Sequence, residues 1–351
     1  LKIEIREYPF PEIPPDAGIL QIEAAGVCGS DWQSYQLERP PRIMGHENVG
    51  RIHSIGEIAA RRWGVKEGDR VALEEYLPCG HCSLCRSGEY RLCELTEARR
   101  PGALRYGTTP VSEAPGLWGG YSQFQYLHPN SVLHRLPENV PAELAAMCIP
   151  IANGIQWTYT DGRAGQGRTI LIEGPGQQGL ACVLAAKAAG SDCVIVSGLT
   201  RDRKRLEIAK ALGADYAIDV EQEDLVAQVQ EITGGNGVDV SIDTAGAATT
   251  LKSALSVTRK GGSVLFAAAP ADSPPEFKMS DLLARRLTLR PCRGHSYESV
   301  ELAIKYIASG RFPFDLLATH RFGLADVDLA IRSVGGQGAP DAVHVTVFPW
   351  S

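Results

Sequence analysis

At 351 residues the chain exceeds the size at which one hydrophobic core usually stops growing, so two domains are expected. A hydrophobic fraction of 44% with 22% charged residues is ordinary for a globular protein. The net charge of −6, without any basic run interleaved with aromatics, argues against nucleic acid or an anionic membrane as partner, and no apolar stretch is long enough to span a bilayer.

In chain order, Lys2-Ile3-Glu4-Ile5 is a predicted strand rather than the start of a signal peptide. Up to about Glu138, short alternating runs (Ile19-Leu20-Gln21-Ile22, residues 49–55, Arg70-Val71-Ala72-Leu73) predict antiparallel strands of a barrel or sandwich-like unit, with proline-rich loops at 9–15 and at Pro40-Pro41. After Pro150 the texture changes. Strands are predicted at 169–172, 194–196, 216–218, 238–242 and 263–267, alternating with helices over 180–187, 202–212, 223–232 and 248–258. That alternation indicates a parallel sheet covered on both faces. Beyond about Arg290 the pattern is mixed again and ends in a strand at 343–348. A nucleotide-binding unit over 150–289, inserted between two pieces of a mainly β domain (1–149 and 290–351), is the simplest architecture.

Of nine cysteines, Cys79, Cys82, Cys85 and Cys93 fall in one loop with the spacing C-x2-C-x2-C-x7-C. Four thiolates gathered this way make a closed tetrahedral zinc site, with Gly80 and Gly88 supplying the bends. A closed site leaves no open coordination position, so this metal holds a loop and does no chemistry. The odd count and clustered distribution point to metal ligands in a reducing, cytoplasmic compartment rather than to a disulfide scaffold.

Cys28, in Gly26-Val27-Cys28-Gly29-Ser30-Asp31, and His46-Glu47, after Gly45, offer a thiolate, an imidazole and a carboxylate with room for water or substrate as a fourth ligand. That is the composition of a catalytic zinc site. Asp31 is placed to orient the His46 ring, and Ser30 to carry a proton between the metal-bound oxygen and solvent.

Gly174-Pro175-Gly176-Gln177-Gln178-Gly179 follows a predicted strand and opens a predicted helix. The first glycine permits the turn, the second admits pyrophosphate to the backbone, and the third allows close helix–strand packing. At the end of the second strand, where NAD sites usually carry an acid, stands Gly198, followed by Leu199-Thr200-Arg201-Asp202-Arg203. With no carboxylate there, and with Arg201 or Arg203 able to pair with a 2′-phosphate, NADP is favoured over NAD; Asp202 is an alternative contact to the ribose.

Together these motifs, with Gly45-His46-Glu47-x-x-Gly50, residues 65–71, Ala211-Leu212-Gly213-Ala214-Asp215, Val238-Asp239-Val240 and Lys260-Gly261-Gly262, resemble the zinc-containing medium-chain dehydrogenase/reductase superfamily, over essentially the whole chain. The resemblance implies an α/β protein with a GroES-like, mainly β catalytic domain and a Rossmann doubly wound parallel-sheet domain. It implies zinc-dependent hydride transfer between an alcohol or ketone and NAD(P), in a homodimer or homotetramer. By that likeness Cys28, His46 and Glu47 look like the catalytic zinc ligands and Ser30 like the relay hydroxyl.

Two departures stand out. Ile149 occupies a position where many members carry a Cys or Glu near the metal, leaving Cys148 as a substitute for water. Gln33 replaces a relay histidine found in some members. If Trp32, Tyr35, Trp118, Phe124 and Trp157 face the cleft, the substrate is a bulky or cyclic secondary alcohol; a small polyol is the rival class. A zinc-independent quinone or enone reductase, or a cofactor-binding protein without turnover, are the readings from other classes.

Overall fold

The computed structural model describes residues 3–97, 100–268 and 277–351. The chain divides into two compact units, one formed by Leu1–Ile149 with Ser296–Ser351 and the other by Pro150–His295. The first segment carries β1 (Gly18–Val27), α1 (Gly29–Tyr35), β2 (Glu47–Ile55), α2 (Glu57–Trp63), β3 (Arg70–Leu73), α3 (Ser83–Arg86), β4 (Phe124–Leu127), β5 (Leu133–Arg135) and α4 (Ala142–Ala145). Helix α5 (Cys148–Ile155) carries the join. Then come β6 (Thr169–Glu173), α6 (Gln177–Ala188), β7 (Cys193–Gly198), α7 (Arg203–Ala211), β8 (Tyr216–Asp219), α8 (Leu225–Ile232), β9 (Val238–Asp243), α9 (Ala248–Val257), β10 (Thr258–Phe266), α10 (Met279–Arg285) and β11 (Thr288–Pro291). The last segment adds α11 (Tyr297–Ala308), β12 (Ala318–Gly323), α12 (Val327–Val334) and β13 (His344–Phe348).

The first unit is built on a seven-stranded sheet in the order β12-β13-β1-β2-β3-β5, with β4 also paired to β1. All pairings are antiparallel except β12 with β13. Strand β1 lies at its centre, so Ile19, Leu20, Ile22, Ala25 and Val27 all enter one core with Val71, Leu73, Trp118, Val345 and Val347. The strand expected at residues 2–5 is not formed over Ile3–Ile5, which run exposed or half-buried without sheet pairing; Lys2 lies outside the described residues. Alternation alone does not make a strand where no sheet edge receives it.

The second unit is a six-stranded, all-parallel sheet in the order β11-β10-β9-β6-β7-β8. This is the doubly wound order whose switch point falls between β6 and β9, where a crevice opens at the strands' carboxyl ends. The apolar run of α6 is buried from Gly179 to Ala186, and Lys187 reaches out to Asp215 (3.1 Å). The expected join at 289/290 falls inside β11. The unit extends to His295, whose Nδ1 hydrogen-bonds Asn153 (2.8 Å), because β11 is needed as the outer strand of this sheet.

Candidate metal centres and dinucleotide turn

Antiparallel register builds the first cluster. Gly26 pairs with Glu47, so Cys28, two residues beyond on one strand, meets His46, the residue just before β2. A side chain at Gly26 would lie 2.6 Å from Glu47 Oε2, so glycine is required for the carboxylate to turn inward. Donor atoms of Cys28, His46 and Glu47 all lie within 4.8 Å of one another. Asp31 holds the group in place: its Oδ2 accepts the Cys28 N–H (3.0 Å) and the Tyr121 hydroxyl (2.8 Å), and its Oδ1 stands 3.4 Å from His46 Nδ1. Ser30 Oγ lies 3.4 Å from His46 Nε2 and is exposed, linking the cluster to solvent.

The electrostatics of this cluster suit a cation. Burial, and then the Glu47 charge, raise the Cys28 thiol above its ordinary value. Burial opposes the His46 imidazolium, yet the Asp31 carboxylate raises it well above the ordinary range, with Glu75 adding to the effect. A thiol and a carboxylate crowded into one buried group oppose each other's ionisation. A divalent ion among them stabilises both anions at once, so the donor set fits zinc.

Cys79, Cys82, Cys85 and Cys93 converge in the same way, all within 4.8 Å and none in a disulfide. Sulfur separations of 3.4 Å (Cys82–Cys85) and 3.8 Å (Cys79–Cys85) match the spacing of about 3.8 Å that four thiolates at about 2.3 Å from a tetrahedral zinc require. Gly80 and Gly88 have φ of 77° and 80°, the left-handed bends that let the loop close. Backbone N–H groups of His81 and Cys82 lower the Cys79 thiol to about 6, so the loop already favours a thiolate there.

The glycine turn divides its duties residue by residue. Gly174 has a φ of 98°, and a side chain there would meet Ala245 at 2.9 Å. A Cβ on Gly179 would lie 1.9 Å from the Gly174 carbonyl, so α6 packs on the turn only without one. Gly176 has an extended backbone (φ −74°, ψ −177°) and nothing within 4 Å of a Cβ. Neither fold nor packing demands glycine there. Gln177 and Gln178 open α6 behind it.

At the end of β7, Gly198 lacks a side chain because Pro175 of the turn would lie 2.8 Å from it. Thr200 donates its N–H to Glu221 (2.8 Å) and its hydroxyl to Asp219 (2.7 Å). Asp202 accepts the Leu199 N–H (3.2 Å) and meets Arg205 (3.0 Å), so both its oxygens serve its own turn. Arg203 reaches Glu207 at 3.9 Å, whereas Arg201 is exposed and in no ion pair among the described residues.

Cys148 is buried and its thiol raised by burial, but its sulfur does not join Cys28, His46 and Glu47 among the described residues; Ile149 is buried beside it. Gln33 is exposed on α1. The five aromatics weighed as possible walls of the substrate site are largely committed to packing. Trp118 is in the core. Trp157 donates to the Gly294 carbonyl (3.0 Å). Trp32 fills the space a Gly335 side chain would take. Tyr35 donates to Asp328 (2.6 Å), and Phe124 sits edge-on to Phe10, His53 and Trp350.

Three features escaped the sequence reading. Tyr121 is the second donor to Asp31, from ninety residues away. Glu75 and Arg105 form a two-point ion pair (2.5 and 3.0 Å), and the Glu75 charge acts on His46. His344, on β13, is buried with neither ring nitrogen hydrogen-bonded. No local motif marks any of them, since each depends on which strands pair.

Two family models match the chain: the alcohol dehydrogenase GroES-like domain over residues 14–138 and the zinc-binding dehydrogenase domain over 179–309. The chain is 36% identical over 357 residues to the "Probable alcohol dehydrogenase adh" of Mycobacterium tuberculosis, covering 99% of this chain and 96% of that one. It is 32% identical to the L-idonate 5-dehydrogenase of Vitis vinifera, covering 93% and 86%. A solved structure described as a zinc-binding dehydrogenase from Sinorhizobium meliloti 1021, bound to NADP, superposes with a TM-score of 0.84 at 25% identity over 99% and 96% of the chains. Fold and site thus define a zinc-binding, nicotinamide-dependent dehydrogenase. The chain belongs to the zinc-containing alcohol dehydrogenases of the medium-chain superfamily, oxidoreductases acting on CH–OH groups.

Proposed function

We propose that this chain catalyses hydride transfer between a secondary alcohol or its ketone and NADP, with Cys28, His46 and Glu47 as the catalytic zinc ligands and the four-cysteine loop as a structural zinc site. The convergence of thiol, imidazole and carboxylate within 4.8 Å carries this reading. Zinc held by that set supplies Lewis acidity to the substrate oxygen. Asp31 fixes the His46 ring through Nδ1, leaving Nε2 for the metal side. Ser30 Oγ moves the hydroxyl proton to solvent directly, Gln33 offering no imidazole for a longer relay. The Gly174–Gly179 turn and the α6 N-terminus hold the pyrophosphate.

The NADP preference rests on Gly198 and the unengaged Arg201 guanidinium, set against the acids Asp219, at the end of β8, and Glu221, in the turn beyond it. Among substrate classes a polyol is favoured over a bulky alcohol. The aromatics weighed as pocket walls are spent on packing, and the Glu75–Arg105 pair, whose carboxylate acts on His46, offers both a donor and an acceptor to a second hydroxyl. Nine free cysteines suit a cytoplasmic location, and family likeness a homodimer or homotetramer.

The test is zinc stoichiometry with a panel of mono- and polyhydroxy alcohols against NADP and NAD. Two zincs per chain and polyol turnover with NADP are expected. Retention of both zincs and near-normal turnover in Cys28→Ser would defeat the reading.

A further inference from the structure

We propose that Glu173 is a positioning residue for the cofactor: held as the neutral acid at the base of the glycine turn, it couples dinucleotide binding to its own proton. The inference rests on the reading that this turn holds the dinucleotide phosphates.

Glu173 ends β6, immediately before the left-handed Gly174, and is 2% exposed. Its carbonyl accepts both the N–H and the hydroxyl of Thr244 (3.0 Å each), and the Thr244 hydroxyl also reaches the Gly174 carbonyl (2.9 Å), so Thr244 ties the strand end to the first residue of the turn. Its side chain lies toward α9, where Oε2 accepts the Ser253 hydroxyl (2.6 Å) and Oε1 is buried without any hydrogen-bond partner. In register on β9 stands a second buried carboxylate, Asp243. Adjacent strands lie about 4.8 Å apart, so two ionised carboxylates here would face each other across a dry gap.

The two acids are not equivalent. Asp243 accepts three hydrogen bonds: the N–H groups of Ala245 and Gly246 (3.0 Å each) and the Thr250 hydroxyl (2.9 Å). Glu173 receives one side-chain donor. From β7 the registered neighbour is Ser197, and from α9 the groups are Ser253 and the Ala254 backbone; Lys252 is exposed. Asp243 is therefore the titratable group facing Glu173, and neither acid is in an ion pair among the described residues. The donors stabilise charge on Asp243 and leave the proton on Glu173. In agreement, burial first, then Asp243, push Glu173 up to about 8 against the Ser253 hydrogen bond.

An anionic dinucleotide on the turn above disfavours a further negative charge in the buried strand end below it. By reciprocity, ionising Glu173 weakens the cofactor. The ordinary acid of the strand end thus becomes a proton-dependent support of the phosphate site.

The test is the dissociation constant of NADPH and NADH, read by nicotinamide fluorescence from pH 6.5 to 9.5, in wild type, Glu173→Gln, Ser253→Ala and Gly176→Val. The ligand's own titration is common to all and cancels in ratios to wild type. Wild-type affinity should hold to about pH 8 and then fall, approaching tenfold per pH unit for one proton. Glu173→Gln should show no such break, so that its affinity relative to wild type rises above pH 8. Ser253→Ala, which removes the donor that favours the anion, should move the break upward. Superimposable profiles for wild type and Glu173→Gln, or an unmoved break in Ser253→Ala, would overturn the proposal. Gly176→Val should lose affinity at every pH; if it binds like wild type, the turn is not the phosphate site and this inference falls with that reading. Should Glu173→Gln fail to fold, pH-difference infrared spectra of wild type and Ser253→Ala decide, since a protonated carboxyl band must vanish near pH 8 in wild type.

Discussion

The two units build their sites in opposite ways. In the parallel unit the dinucleotide turn is six consecutive residues, and its chemistry lies in the backbone: one left-handed glycine, one open face, one close packing contact. In the antiparallel unit the cluster is drawn from the end of β1, the start of β2 and, through Asp31, from Tyr121 far along the chain. A backbone site needs only the right residues in a row, whereas a side-chain site needs the right strands in register. The contrast extends to buried ionisable groups. Glu173 in the parallel unit is a buried acid shifted up and His344 in the antiparallel unit a buried base shifted down, so pH should act through these two groups in opposite senses.

The largest effect expected is in the antiparallel unit. Cys28→Ser or His46→Ala should lower turnover about a thousandfold and remove one zinc per chain while the four-cysteine loop keeps its own, as metal analysis would show.

Next come the pH slopes of stability, measured as urea unfolding of each variant against wild type. His344 is depressed to about 4 by burial, below an unfolded value of about 6.5. Its contribution is full above pH 6.5 and is lost as pH falls toward 4, roughly 3 kcal/mol in all. His344→Leu should flatten that acid limb. Glu173 is raised, so the folded state holds the extra proton between about 4.5 and 8, and stability falls as pH rises through that window by a similar or larger amount. Glu173→Gln should remove this slope. Equal slopes in wild type and either variant would break the comparison.

Smaller still, Gly176→Val should weaken cofactor about tenfold to a hundredfold with an unchanged melting temperature, because its Cβ meets no protein atom. A large loss of stability instead would make the glycine a folding residue like Gly179. Smallest, Arg201→Ala should lower NADPH affinity about tenfold relative to NADH. An unchanged ratio would remove the basis for preferring the phosphorylated cofactor.

Much of this molecule was legible in the linear order of residues. The strand–helix alternation after Pro150, the four-cysteine spacing and the glycine turn are short-range patterns, because helix period, strand period and left-handed turns depend on neighbours a few positions away. The substrate environment was not legible. Trp118 and Trp157 read as possible pocket walls and are core residues, while Glu75 and Arg105, plain charged residues in sequence, meet in an ion pair whose carboxylate acts on His46. Likewise nothing local distinguishes the Glu173 carboxylate from an exposed one until β9 sets Asp243 next to it. Residue order alone specifies which chemistries the chain carries: thiolates, an imidazole, a glycine turn. Which of them meet, and which are deprived of water, follows from folding, because proximity and desolvation are properties of strand register and packing rather than of residue type.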